Sequence, residues 1–192
     1  MNTSLTRRRV VAAFAVVALP LSLGVMAPQA SATDRDGPFG PGCASVPKNG
    51  AGSLDDMADD PVATAASNNP ALSTLASAVK QAGLVDTLNS AENITVFAPT
   101  NDAFAKIPKA DLDKLLADRA MLTKILTYHV AGQAIDKADL ADGSFKTLEG
   151  GTLTTSGSGD AYKINGTASI VCGDVPTSNA TVHIIDTVLM PK

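Results

Sequence analysis

The spacing of apolar residues changes once along this chain, and that change limits its fold more than any other feature. Up to about Tyr128 the apolar positions recur at helical intervals. From about Phe145 they come as short runs separated by Gly, Asn, Ser and Asp. In "NPALSTLASAVKQAG", Leu72, Leu75, Ala76 and Val79 line one helical face. Asn69 suits the cap, Pro70 the first turn and Gly83 the end. "DDMADDPVATAASNN" predicts a short helix from near Pro61, and "LVDTLNS" a helical turn. "KADLDKLLADRAMLTKILTYHV" holds two helical pieces. Leu112, Leu115 and Leu116 share one face; Met121, Leu122, Ile125 and Leu126 share another, with Lys and Asp outward. Later, "SFKTLEG", "GTLTTSG", "DAYKINGTASIVCG" and "ATVHIIDTVLM" read as strands. "LEGGTLT" and "KINGTAS" read as hairpin turns, the second through Asn165-Gly166. With one early strand at Ile94, helices in the first half and strands in the second argue an α+β fold rather than a parallel α/β sheet.

The first residues belong to a different category. "TRRRVVAAFAVVALPLSLGVMAPQASA" has a basic start, an apolar middle and Ala30-Ser31-Ala32 at its end. That is the pattern of a secretory signal peptide, residues 1–32. Pro20 and Gly24 interrupt the apolar run, which is short for a membrane span. Residues 33–57 form a Gly/Pro-rich lead, and residues 58–192 the folded domain. Removal of the signal leaves about 160 residues, enough for one domain with a real core. Fifteen basic residues fall to twelve against nineteen acidic ones, a net charge near −7. Such a balance argues against a nucleic-acid partner and against docking on an anionic membrane. No later run is long enough for stable membrane insertion. The expected location is therefore secreted and extracellular.

Two cysteines follow the signal, Cys43 and Cys172. An even pair in an exported chain is most simply a disulfide. With no local spacing between them they make a poor metal site, and no metal or other cofactor is expected. The bond would pin the lead to a strand near the other end, for about 5 kcal/mol by chain entropy.

"NITVFAPTNDAFAKIP", Asn93 to Pro108, places a polar patch between two apolar segments. Pro99 stops the strand. Thr100 is placed to cap a helix by accepting from Asp102 or Ala103, and Asp102 sits where the helix dipole favours negative charge. Ala103, Phe104 and Ile107 make the buried face. Thr100, Asn101, Asp102 and Phe104 thus read first as the parts of a strand-to-helix joint.

The two histidines, His129 and His183, belong to no short metal motif. His129 follows Tyr128 at a helix-to-strand change, where a buried residue satisfying backbone groups is the usual explanation. His183 lies opposite Val182 and Ile184 in a strand, with a cross-strand or surface role expected. In that strand Ile185 and Asp186 disturb the alternation before Val188 and Met190 resume it, which predicts a bulge or bend there, with Asp186 satisfying backbone donors. No nucleophile elbow, P-loop or dinucleotide fingerprint is present. Without tryptophan, the chain offers little for stacking on sugars or bases.

Three of these segments together resemble the boxes of the fasciclin-type domain, also called the FAS1 or βig-h3 domain. "TVFAPTNDAF" matches the first box, Tyr128-His129 within "ILTYHV" the central motif, and "VHIIDTVLMP" the last. The closer likeness is to the secreted immunogenic fasciclin-domain proteins of tuberculosis-group mycobacteria, through "GPGCA", "DPVATAASNNPALSTL", "ASIVCG" and "NATVHIIDTVLMP". One branch of that group is lipid-anchored. The absence of an anchor cysteine here resembles the freely secreted branch.

The resemblance implies a wedge of strands with helices packed around it, and adhesion rather than catalysis. In animal relatives the tyrosine-histidine region and an acidic motif before the last box are linked to integrin binding. The first corresponds to Tyr128 and His129. The acidic-proline start of the second falls at Cys172-Gly173, so only Asp174 and Val175 keep its pattern. The expected function is an interaction protein, extracellular or on the cell surface, with a host or cell-envelope protein as partner. Two alternatives stay open: a carrier for a small lipid or carbohydrate, and an enzyme of unknown type.

Overall fold

Helices cover one face of a seven-stranded sheet in this computed structural model, which describes residues 37–191. The signal peptide expected over residues 1–32 lies outside the described residues, as does the start of the lead. The described residues fall within one unit, residues 35–192. Among them, no helix is long and apolar enough to cross a membrane.

The helices are short, and several are capped by their own side chains. Helix α1, Leu54–Asp59, starts at Ser53, whose hydroxyl accepts from Asp56 N. It begins before residue 58, so the packed domain reaches further back than the Gly/Pro composition of the lead indicates. Helix α2, Val62–Asn68, follows Pro61. Asn69 then accepts from Ala71 N across a 3₁₀ turn, Pro70–Leu72, which leads into α3, Ser73–Ala82. Gly83 closes α3 in the left-handed conformation. Helix α4, Val85–Ser90, precedes strand β1, Ile94–Pro99. After it come α5, Asn101–Ala105, α6, Lys109–Ala117, and α7, Arg119–Tyr128. On α7, Leu122, Ile125 and Leu126 are buried, but Met121 is half exposed. The apolar stripe is one residue narrower than its spacing predicts.

The remaining strands are β2, Val130–Ala131, β3, Asp142–Lys146, β4, Thr152–Ser158, β5, Ala161–Ile164, β6, Ala168–Pro176, and β7, Ala180–Ile185. Their order is β2-β1-β7-β6-β5-β4-β3. Only β1 and β7 run parallel. The turn joining β5 to β6 places Asn165 and Gly166 at positive φ, as an Asn-Gly hairpin requires. The sheet also curls towards closure. Ala131 in β2 bridges Thr147 just past β3, and Leu148 N donates to Val130 O at 2.8 Å.

Curling gives the sheet two apolar faces. Val96, Ala98, Val182 and Ile184 pack with the helices, together with Met57, Leu72, Leu75 and Leu126. Phe97, Phe145, Leu153, Tyr162, Ile164, Ile170 and Ile185 form a second core on the inner face. Strand β7 is therefore buried on both sides. The run Val182 to Ile185 alternates cleanly between two cores, and the disturbance read in the sequence is a bend at Asp186 and Thr187 and not a bulge. The strand ends at Ile185, and Val188 to Met190 do not resume it.

The irregularities lie in β6 instead. Ile170 pairs with Ile185 and Cys172 with Ile184, which leaves Val171 as an extra residue. A second shift between Cys172 and Val175 includes Asp174 at φ 52°. The lead packs against this distorted strand. Phe39 N donates to Gly173 O at 3.1 Å and Gly173 N to Phe39 O at 2.8 Å. A Cβ at Gly173 would lie 2.3 Å from the Phe39 ring, so only glycine fits. Four residues on, Cys43 is bonded to Cys172, with Cα atoms 4.8 Å apart.

Candidate functional site

The strand-to-helix joint is built from its own residues. Thr100 Oγ1 accepts from Ala103 N at 3.2 Å, which caps α5. Phe104 turns into the helical core, while Asp102 stays exposed in the first turn. Asn101 reaches further than the sequence indicates. Its Oδ1 accepts from Thr74 N at 2.9 Å and its Nδ2 donates to Pro70 O at 2.9 Å, so it fastens α5 to the start of α3. No local pattern announces a bond across some thirty residues.

Asp186 follows β7 and stands close to the same joint. Its Oδ1 accepts from Ser169 N at 2.8 Å and from the Thr187 hydroxyl at 3.0 Å. Its Oδ2 pairs with Lys106 Nζ at 3.3 Å. Partial burial pushes the carboxyl up, but those hydrogen bonds and the lysine outweigh it and hold the group below its ordinary value.

Together these residues border a groove of about 490 Å³. Half-buried Ala71 and Val171, with the edges of Val46 and Ile184, form an apolar floor. Ser45, Thr100, Asn101, Asp102, Lys106 and Asp186 form a polar rim. The first and last sequence motifs thus meet on one surface. Val171 reaches it because it is the extra residue of the first β6 shift. Val46 and Ser45 reach it because the disulfide holds the lead there. Neither contribution is visible in sequence, because each depends on pairing between distant segments.

The other candidate residues point inward. Tyr128 and His129 are buried, as is Val175. The side chain of Asp174 is only 11% exposed. These four therefore offer no common contact surface. Tyr128 donates its hydroxyl hydrogen to Thr152 O at 3.3 Å and accepts from Asn165 Nδ2 at 3.1 Å. It forms one wall of a second depression, of about 340 Å³, with Glu149, Thr152, Thr154 and Asn165. Asp174 Oδ2 accepts from Lys137 N at 3.1 Å.

Both histidines are internal connectors. His129 Nδ1 donates to Ile125 O at 2.8 Å, and its Nε2 accepts from Leu189 N at 2.9 Å. His183 is fully buried, which removes the surface role expected for it. Its Nε2 donates to Ile135 O at 3.1 Å, and its Nδ1 accepts from Asp174 N at 3.2 Å. Phe97 stacks on it at 5.4 Å. Each ring uses one nitrogen as donor and one as acceptor, so both are neutral. The 4.0 Å approach of Asp174 to His183 is consequently no ion pair. Burial lowers both pKa values to about 4, with the Ile125 and Ile135 carbonyls opposing the shift.

Among the described residues, no group of three His, Cys, Asp or Glu side chains is placed to hold a metal. Between Met57, Leu72, Phe97, Leu126 and Val182 the interior space is about 30 Å³. That is room for about one water, far below the several hundred Å³ of a small-ligand site.

Comparison with known proteins follows the motifs. The model of the Fasciclin domain matches residues 70–191. The chain is 45% identical over 186 residues to the immunogenic protein MPB70 of Mycobacterium bovis, covering 93% of each. It is 53% identical over 162 residues to the cell surface glycolipoprotein MPB83 of the same species, covering 80% of this chain and 72% of that one. Among solved structures it matches a FAS1 domain pair from the insect cell adhesion molecule fasciclin I. The TM-score is 0.58 and the identity 21%, over 71% of this chain and 52% of the other. That likeness is one of fold.

Proposed function

Because this chain belongs to the fasciclin domain family, we propose that it is an extracellular or cell-surface interaction protein that acts through protein contacts and not through catalysis. The observation that carries this reading is how the motif side chains are used. Tyr128, His129, His183 and Asp186 are held by backbone groups and neighbouring side chains, while the groove beside Thr100 and Asp186 faces solvent with an apolar floor. An apolar centre within a polar rim is the anatomy of a protein contact. The names of its relatives, a cell surface glycolipoprotein and an immunogenic protein, agree with exposure outside the cell. The expected partner is a protein of the cell envelope or of a host.

The test is a crosslinking pull-down with the mature protein, using envelope and host-cell extracts separately. The expected outcome is a reproducible set of crosslinked proteins that unlabelled protein competes away. If neither extract yields a competable crosslink, the contact reading fails. For a carrier role the enclosed interior space of about 30 Å³ is too small, so a lipid or sugar would have to sit in an open depression such as the groove. Native mass spectrometry of the secreted protein checks it, since a bound lipid or sugar would appear as added mass.

A further inference from the structure

We propose that the groove between the lead, α5 and β6 accepts an extended segment of a partner protein carrying one branched apolar side chain next to a basic one. This rests on the protein-contact reading and specifies the chemistry of the partner.

The apolar half of the argument is the floor. Val171 is placed there by a bulge, a device that re-aims a side chain out of the regular ladder. Ala71, Val46 and Ile184 surround it. A volume of about 490 Å³ suits one or two side chains, not a folded domain.

The charged half is the rim. Three charged residues border the groove: Asp102, Lys106 and Asp186. Lys106 and Asp186 face each other at 3.3 Å, and both oxygens of Asp186 already accept hydrogen bonds. Asp102 is the exposed carboxylate of the rim that is outside this pair. Lys106 and Asp186 cancel, so the rim keeps one net negative charge at Asp102, which a basic side chain lying over it would neutralise. The overall excess of nineteen acidic residues over fifteen basic ones favours the same sign of partner. Charge at such a rim selects and orients more than it tightens, so the floor supplies most of the affinity.

The rim is also rigid before binding. Thr100 and Asn101 are held by the bonds that cap and fasten α5, and the opposite wall is held by the bond between Cys43 and Cys172. Little ordering remains for a ligand to impose.

The test uses the oxidised, isotope-labelled mature protein, with backbone amide NMR during titration by three blocked dipeptides: acetyl-Leu-Arg-amide, acetyl-Leu-Glu-amide and acetyl-Gly-Arg-amide. The expected result is saturable shifts at Ser45, Val46, Asp102 and Val171 with the Leu-Arg peptide. Binding of the other two should be at least threefold weaker. Asp102→Asn, a surface change that leaves the fold intact, should bring Leu-Arg down to the level of Leu-Glu. Equal binding of the acidic peptide, absence of saturable shifts, or shifts confined to another surface would each overturn the proposal. Mapping of the crosslinks from the pull-down separates the two readings. Competable crosslinks that all map away from the groove retain the contact function and reject the groove. Peptide binding in the groove without any competable crosslinked protein supports the groove's chemistry and rejects the contact function.

Discussion

His129 Nε2 accepts the amide hydrogen of Leu189 at 2.9 Å, and so the central motif of the chain holds the segment that follows its last strand. The other ring nitrogen is anchored one helical turn back, on Ile125 O. Replacing His129 by Ala would leave the buried Leu189 amide without a partner and open a void among core side chains, while Ile125 O keeps the backbone N–H of residue 129. The expected loss is about 2–5 kcal/mol, read from urea unfolding at pH 7.5. A loss below about 1 kcal/mol would show that the clamp is not needed.

Acid should first weaken the protein through its two buried histidines. In the folded state both histidines have pKa values of about 4, against 6.5 in an unfolded chain. Between those values the unfolded chain binds more protons, so stability falls as pH drops from 6.5 towards 4 and this contribution levels off below 4. Each ring accounts for at most roughly 3 kcal/mol across the window. Asp186 acts in a lower range. Its carboxyl is held below the ordinary value, so its contribution is present above pH 3.8 and is lost as pH falls further. Urea midpoints at half-unit intervals from pH 7.5 to 2 check the order of the two losses. A flat profile down to pH 4.5 would contradict the buried neutral rings.

Asn101 should matter more to stability than its neighbour Asp102. Asn101→Ala removes the bonds to Thr74 N and Pro70 O, at about 1–3 kcal/mol. Thr100→Ala removes the cap, at about 1 kcal/mol. Asp102→Asn should lie within about 0.5 kcal/mol of the parent, as exposed substitutions usually do. Thermal melts of the three variants under one condition give the ranking.

Much of this joint can be read from the chain, and much of its surroundings cannot. Strand, proline stop, Thr100 cap and buried Phe104 follow from residues within ten positions of one another. So do Gly83 at the end of α3 and the Asn165-Gly166 turn. The partners of Asn101 and Asn179 are long-range. Asn179 accepts from Val62 N at 2.9 Å and donates to Leu88 O and Ala91 O, which locks three segments that no spacing connects. Burial misled the reading of β7 for a related reason. Sequence alternation assumes one wet face, whereas Ile184 and Ile185 each enter a separate core. The groove was hidden because its floor comes from four distant segments.

Gly173→Ala tests how the lead is seated. The added methyl would lie 2.3 Å from the Phe39 ring, which backbone bonds to Gly173 hold in place. Overpacking of this kind costs about 1–3 kcal/mol. Hydrogen exchange should show the amides of Phe39 and Gly173 losing protection, with β1 little changed. Unaltered protection at both amides would mean that the ring moves aside freely.

Non-reducing peptide mapping should recover one linked pair, Cys43 with Cys172. Changing both to Ser releases a connection across 129 residues and removes up to about 5 kcal/mol by the chain-entropy argument. Two free thiols in the exported protein would contradict the bond.

The parallel pairing of β1 with β7 has a consequence for how the chain comes to be folded. Strand β1 ends at residue 99, but its long neighbour begins only at residue 180. A chain emerging N-terminus first presents its helices long before the surface they cover exists. Contacts between such distant segments form late, because loop closure precedes any gain from pairing. Strand β1 and the helices therefore wait for residues 180–185, and the two cores that flank β7 are completed in one late step.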